Sequence, residues 1–374
     1  MSTIKNYYAG GNTSVGFYSL YDEALKGLDR LYIFKGGPGT GKSSFMRTIG
    51  MTMADKGYNI QFLHCSSDNN SLDGVIIPEL KLGFVDGTAP HIVDPKFPGV
   101  IDEIINLGEF WDDKKLKENG KEIIKLTQDI SANFKRAYEQ FAEAKSIHDE
   151  WEDIYLAEMN FDKANEVTET LIEKIFTREI TKEENPTTKR IFFGAATPQG
   201  AVNFIDNITE DKEKRYIVKG RPGSGKSTMM KKIGKRAEEL GLSVEYFPCG
   251  FDPNSLDMVI IPTLSVAVLD GTAPHVIDAT RDNDEIVDMF ALCINPNVEV
   301  EKEKELHNIE SRYKIKMTIG TNYIKEAKRL HDLLERYYVA AMDFERINAK
   351  REEILDEVLQ YAEEKAQYKS EVIF

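Results

Sequence analysis

Cysteine is scarce, with three in 374 residues. Cys65, Cys249 and Cys293 have no metal-ligand spacing and form no disulfide framework. A disulfide-stapled secreted scaffold is therefore excluded, and free thiols in a reducing cytoplasm are expected. Long apolar runs are absent too. None approaches the ~18 residues of a membrane span, and Met1-Ser2-Thr3-Ile4-Lys5-Asn6 lacks the apolar core of a signal peptide. Positive charge is in deficit: 48 Lys and Arg stand against 63 Asp and Glu, a formal net charge of −15. That argues against broad nucleic-acid or anionic-membrane binding, though not against a local basic groove. There is no N-K-x-D guanine-reading motif and no L-S-G-G-Q-type signature, which disfavours a GTPase and a transporter ATPase.

Two glycine-rich loops are present. The first reads Gly36-Gly37-Pro38-Gly39-Thr40-Gly41-Lys42-Ser43, followed by Ser44. The second reads Gly220-Arg221-Pro222-Gly223-Ser224-Gly225-Lys226-Ser227, followed by Thr228. Both satisfy G-x-x-x-x-G-K-[ST], and each lies between a short apolar run and a helical pattern, the strand–loop–helix context the motif requires. Glycines open backbone angles closed to other residues, so amides can turn inward around a phosphate chain. The helix start adds unpaired donors. The pattern assigns Lys42 and Lys226 to the β- and γ-phosphates of ATP, and Ser43 and Ser227 to Mg²⁺.

The chain is internally repeated. At an offset of 184, Tyr8–Asp94 aligns without gaps on Phe192–Asp278, and 18 of the 31 positions from His64 to Asp94 are identical to Pro248–Asp278. The expected divisions are repeat 1 over 1–186 (core 1–110, helical arm 111–184) and repeat 2 over 187–374 (core 187–292, arm 297–368). Strands alternating with helices predict α/β cores with parallel sheets. In the first arm Leu116, Ile123, Ile130, Ala137, Ala144 and Trp151, with Thr127, Phe134, Phe141, His148 and Tyr155, form a heptad seam. Ala327, Leu334 and Ala341 with Leu330, Tyr337 and Phe344 do so in the second. These predict coiled-coil-like hairpins projecting from each core or a helical subdomain packed on its sheet. Charge runs such as Glu301–Glu305 read as solvated faces. Glu371-Val372-Ile373-Phe374 is a candidate closing strand of the second sheet.

Asp86 and Asp270 end an apolar run, as a Walker B aspartate does, and are candidate Mg²⁺ partners; the alternative is an Asp-Gly turn. Asp68 and Asp252 follow the second strand. They are candidates to orient water or a second substrate at the sheet rim, or to start a short helix capped around Asn70-Ser71 and Asn254-Ser255. His91 and His275 are candidate phosphate sensors, with a structural role as the alternative. Arg47, Arg221 and Arg281 are candidate charge-stabilising fingers.

On the doubled G-x-P-G-[ST]-G-K-S loops, the S-L-D-x-V-I-I-P segments and the D-G-T-A-P-H segments at 86–91 and 270–275, nearly the whole chain resembles an uncharacterised family of bacterial tandem P-loop ATPases. The resemblance implies ATP binding and hydrolysis, with no substrate or pathway. A hydrolysis cycle that moves the helical arms, acting on an unidentified protein or small-molecule partner, is the leading reading. A phosphotransferase is the second, weakened by the few arginines of residues 1–187: Arg30, Arg47, Arg136 and Arg178. A non-hydrolysing sensor is the third, since Glu79 is replaced by Thr263 in the second repeat.

Overall fold

Continuous apolar runs such as Leu31–Phe34 suit strands covered on both faces, and all four of these residues are buried. The structure, a computed structural model, describes residues 2–177 and 180–372. The first half carries β1 (Ile4–Tyr7), β2 (Gly10–Thr13), β3 (Gly16–Ser19), α1 (Tyr21–Ala24), β4 (Arg30–Lys35), α2 (Lys42–Asp55), β5 (Ile60–Cys65), β6 (Asp68–Ile77), β7 (Leu82–Asp86) and β8 (Asp102–Asn106). Helices α3 (Asp113–Glu118), α4 (Gly120–Ala157) and α5 (Phe161–Ile175) follow. The second half repeats the order with β9 (Thr188–Arg190), β10 (Gly194–Thr197), β11 (Gly200–Asn203), α6 (Ile205–Thr209), β12 (Lys214–Lys219), α7 (Lys226–Glu239), β13 (Val244–Pro248), β14 (Leu256–Ile261), β15 (Val266–Asp270) and β16 (Asp284–Asp288). It ends with α8 (Met289–Cys293), α9 (Val298–Glu301), α10 (Glu303–Val339) and α11 (Phe344–Val372). Among the described residues no helix is long and apolar enough to cross a membrane.

The fold is α/β with two six-stranded sheets, ordered β1-β5-β6-β7-β4-β8 and β16-β12-β15-β14-β13-β9. They are mixed rather than purely parallel: β6 and β14 run antiparallel to both neighbours. The reason is connection length. Only Ser66 and Ser67 separate β5 from β6, whereas a parallel crossover needs a dozen residues or more. The stretch at Asn70-Ser71 is thus strand, not a capped helix, and Asn254-Ser255 is the turn before β14. Glu371 and Val372 belong to α11 rather than to a closing strand; Ile373 and Phe374 lie outside the described residues.

Contacts divide the chain into a unit of Met1–Gly10, Leu25–Phe134 and Ile324–Phe374 and a unit of Gly11–Ala24 and Lys135–Tyr323. The repeat boundary near Pro186 falls inside the second unit. The helices are exchanged between repeats. In the first unit, α11 of the second repeat buries Ile347, Ile354 and Val358 in the same core as Phe45, Ile49 and Phe84. In the second unit, α5 of the first repeat buries Ala164, Leu171 and Ile175 with Met229, Ile233 and Val268. The last helix of each arm, α5 or α11, therefore covers the sheet of the other repeat, where a hairpin projecting from its own core or a subdomain packed on its own sheet was expected. The division falls inside α4, between Phe134 and Lys135, and inside α10, between Tyr323 and Ile324.

The seam holds from Ala137 through Phe141, Ala144 and Tyr155, all buried. Thr127 is exposed and Leu116 lies in α3, ahead of the break at Asn119. Ala341 and Phe344 fall at the α10–α11 turn and the start of α11, beyond the second seam. Glu301–Glu305 is exposed as expected.

Candidate functional site

Each glycine-rich loop joins an interior strand, β4 or β12, to a 14-residue helix. Gly39 and Gly41 have φ of +67° and +88°, and Gly223 and Gly225 +73° and +84°, angles that penalise any side chain. The Thr40 hydroxyl donates to the Gly37 carbonyl at 2.9 Å, and that of Ser224 to Arg221 at 2.7 Å. No side chain caps either helix, and neither first turn is acidic, so each helix start keeps its positive character. The Lys42 ammonium donates to the carbonyls of Gly36 (3.1 Å) and Gly37 (2.7 Å), and Lys226 to that of Arg221 at 2.9 Å.

The lysines also meet the aspartates. Lys42 Nζ lies 3.5 Å from Asp86 and Lys226 Nζ 3.6 Å from Asp270. Register explains this: β7 pairs with β4, Asp86 opposite Phe34, and β15 with β12, Asp270 opposite Val218. Each carboxylate's other oxygen accepts from the threonine two residues on, Thr88 (N 2.9 Å, Oγ1 2.5 Å) or Thr272 (N 2.9 Å, Oγ1 2.5 Å). The D-G-T segment thus fixes the carboxylate's orientation. Lys35 pins the same loop through the carbonyls of Gly87 and Val93 and the Asp94 carboxylate, at 2.8, 2.9 and 2.7 Å. Lys219 does so through Gly271, Ile277 and Asp278, at 2.9, 2.6 and 2.9 Å. The sequence reading missed these two lysines, although both occupy equivalent repeat positions just before the loop.

Ser43 Oγ accepts from the Leu72 amide at 2.9 Å, and Ser227 Oγ from Leu256 at 2.8 Å. These bonds bring β6 and β14, whose N-terminal ends carry or follow Asp68 and Asp252, to the loop edge. Ser44 and Thr228 sit one residue on, in the first helical turn. Asp68 accepts from the Asn70 amide (3.2 Å) and the Ser71 hydroxyl (3.1 Å), and Asp252 from the Asn254 amide (3.0 Å). Both aspartates also face a lysine on an arm helix: Lys328 for Asp68 at 3.3 Å and Lys145 for Asp252 at 3.5 Å.

Those lysines belong to a second repeat that the sequence reading missed. Residues 143–161 and 326–344 share 10 of 19 identities in the pattern E-A-K-x-x-H-D-x-x-E-x-x-Y-x-A-x-M-x-F. Their offset is 183 rather than 184, so a gapless comparison passes over them. The segment seats against the loop in both units. A Cβ added at Gly39 would stand 3.2 Å from the Glu335 carbonyl, and one at Gly223 2.8 Å from the Glu152 carbonyl.

No protein-family model, curated protein or solved structure matches this chain.

His91 and His275 are both buried. His91 Nε2 is 3.3 Å from Asp73, and its Nδ1 is 3.2 Å from the Asp86 carbonyl. Burial works against its charged form, but the Asp73 carboxylate outweighs it and holds His91 well above the ordinary histidine range. His275 is 3.9 Å from Asp257, and burial pulls it down. His91 thus ties β6, through Asp73, to the end of β7, through the Asp86 carbonyl. Burial pushes the Cys65 thiol up to about 11 and Cys249 well above its usual value.

The three candidate arginines are otherwise engaged. Arg47 donates to the Asn70 carbonyl at 2.7 Å, Arg221 pairs with Glu299 at 2.5 Å, and Arg281 donates to the Thr209 carbonyl at 2.7 Å. Glu79 accepts from the Asn59 amide at 3.0 Å, and Thr263 bonds Glu183.

Proposed function

We propose that each glycine-rich loop binds the phosphates of ATP and that the protein is a Mg²⁺-dependent ATPase with two nucleotide sites. The reading rests on one observation: the same lysine–carboxylate pair stands at both loops, 3.5 Å apart in one and 3.6 Å in the other. The hydroxyls of Ser43 and Ser227 and the carboxylates of Asp86 and Asp270 are hard oxygen donors of the kind Mg²⁺ prefers. Bound there, the ion would neutralise phosphate charge.

The chain's own residues supply the rest. Loop amides and the uncapped helix start cradle the phosphate oxygens. Lys42 or Lys226 leaves the loop carbonyls for the β- and γ-phosphates. Thr88 or Thr272 keeps the carboxylate fixed while charge shifts nearby. A water oxygen bonds to the γ-phosphorus as the bridging P–O bond breaks; ADP and phosphate leave, with the water's protons passing to phosphate and solvent. Membership among tandem P-loop ATPases is part of the same proposal.

The test is calorimetric titration with ATP and Mg²⁺, followed by phosphate release without added acceptor. Binding near two equivalents, lost in Lys42→Ala/Lys226→Ala, together with release, supports an ATPase. Release only with an acceptor would indicate a phosphotransferase, and binding without release a sensor. Absence of binding would sink the reading.

A further inference from the structure

Four of the identical residues in the repeated arm segment share one polar stripe. Lys145, His148, Asp149 and Glu152 fall at i, i+3, i+4 and i+7, as do Lys328, His331, Asp332 and Glu335, so each set shares a helix face. Off that face Ser146 stands against Arg329 and Glu150 against Leu333, while Glu143 and Ala144 match Glu326 and Ala327. A helix that merely packed would need only an apolar stripe to match. Here the matching stripe is charged, and in each unit it runs from the rim aspartate to the glycine-rich loop.

We propose that Lys328 and Lys145 are catalytic cations supplied across the repeats. Lys328, from the second repeat's α10, serves the γ-phosphate of ATP at the first loop; Lys145, from the first repeat's α4, serves that at the second. The proposal rests on the ATP reading above. Each ammonium already sits within 3.3–3.5 Å of the rim aspartate, and each side chain is about a quarter exposed, 23% for Lys328 and 26% for Lys145. Burial opposes their charge, but Asp332 and Asp68, or Asp149 and Asp252, hold both lysines above the usual range. They stay cationic throughout the neutral range.

When ATP arrives, the γ-phosphate offers a stronger anion than the paired aspartate, and the flexible lysine stem can change partner. As the P–O bond to ADP breaks and the water oxygen bonds to phosphorus, charge spreads over the equatorial oxygens, where a positioned cation is worth most. ADP has no γ-phosphate, so the lysine remains on Asp68 or Asp252. The candidate arginines bond Asn70, Glu299 and Thr209; the repeated lysines differ from them in meeting the rim aspartate in both units.

The test uses the full chain with Lys145→Met/Lys328→Met and, separately, Lys145→Arg/Lys328→Arg. Affinity for ADP–Mg²⁺ should stay within about twofold, while the preference for ATP over ADP falls roughly tenfold and phosphate release falls ~10²–10³-fold. The arginine pair should recover part of both, since the cation is kept. A structural role would shift ATP and ADP affinity together. In the wild type, an amine-acetylating reagent gives a second readout that needs no variant: ATP should shield Lys145 and Lys328 more than ADP does. Equal shielding by the two nucleotides, or a folded methionine pair with unchanged ATP preference and release, overturns the inference and leaves the ATPase reading standing. A wild type that binds neither nucleotide removes that reading, and the inference with it.

Discussion

The ammonium of Lys42 stands 3.5 Å from the carboxylate of Asp86. On the ATPase proposal, Lys42 turns from this pair toward the β- and γ-phosphates when nucleotide binds. The same proposal gives Asp86 two roles, as a competitor for Lys42 before binding and as a carboxylate acting on charge during turnover. Asp86→Asn/Asp270→Asn should therefore leave ATP affinity unchanged or slightly tighter, while Mg²⁺-dependent phosphate release falls ~10²–10³-fold. Calorimetry and a phosphate-release assay measure the two separately. Near-normal release would move the carboxylate role to Asp68 and Asp252.

The exchanged helices make a prediction about coupling. Each unit contains one repeat's loop and the other repeat's lysine-bearing helix. Loss of one site should then disturb the other. Lys42→Ala and Lys226→Ala, assayed singly at saturating ATP, should each remove more than half of the total turnover. If each variant keeps half and the double variant is inactive, the sites are independent.

The first loop carries a steric signature. A Cβ on Gly37 would lie 2.3 Å from the Tyr338 ring, which itself meets Trp111 at 5.8 Å between centroids. Gly37→Ala should cost about 1–3 kcal/mol through overpacking, read as a lower melting temperature, with Tyr338→Ala restoring part of the loss in the double variant. The second loop has Arg221 at this position, paired with Glu299 at 2.5 Å, side chains 49% and 35% exposed. Arg221→Ala should cost no more than about 1 kcal/mol. Equal losses at Gly37 and Arg221 would discount the ring contact.

What the sequence disclosed was local. The glycines, Lys42 and Lys226 and the strand-ending Asp86 and Asp270 were legible because each answers a short-range demand of φ angle, helix start or strand end. The direction of β6 was hidden by Asp68-Asn69-Asn70-Ser71, residue types that favour turns and caps, even though the two-residue link after Cys65 already forbade a parallel crossover. Helix exchange had no local signature. A heptad seam specifies an apolar stripe such as Ala137–Phe141–Ala144 but not the surface it covers. The Lys145 and Lys328 segments were displaced by a single residue from the register in which the repeat was compared.

The second unit holds a buried ion pair that the first replaces with backbone bonds. Arg215 donates to both Asp284 oxygens, Nε at 2.8 Å and Nη2 at 2.6 Å, and each side chain is 1% exposed. The first repeat has Leu31 at the position of Arg215, and its Asp102 accepts instead from the amides of Lys96 and Phe97, at 2.6 Å each. Arg215→Met leaves Asp284 with only the Thr280 and Arg281 amides, at 2.9 and 3.0 Å, and should cost about 3–5 kcal/mol. The pH dependence has a definite sign. The Arg215 hydrogen bond, helped by those amides, holds Asp284 well below the usual carboxylate range. A carboxylate depressed in the folded state contributes stability above its unfolded value of about 4 and loses it as pH falls toward the folded value. Denaturant unfolding of wild type and variant should therefore differ by a constant amount from pH 5 to 8 and converge below about pH 4. A gap that stayed constant into acid would assign the cost to lost packing of the arginine stem rather than to the charge pair.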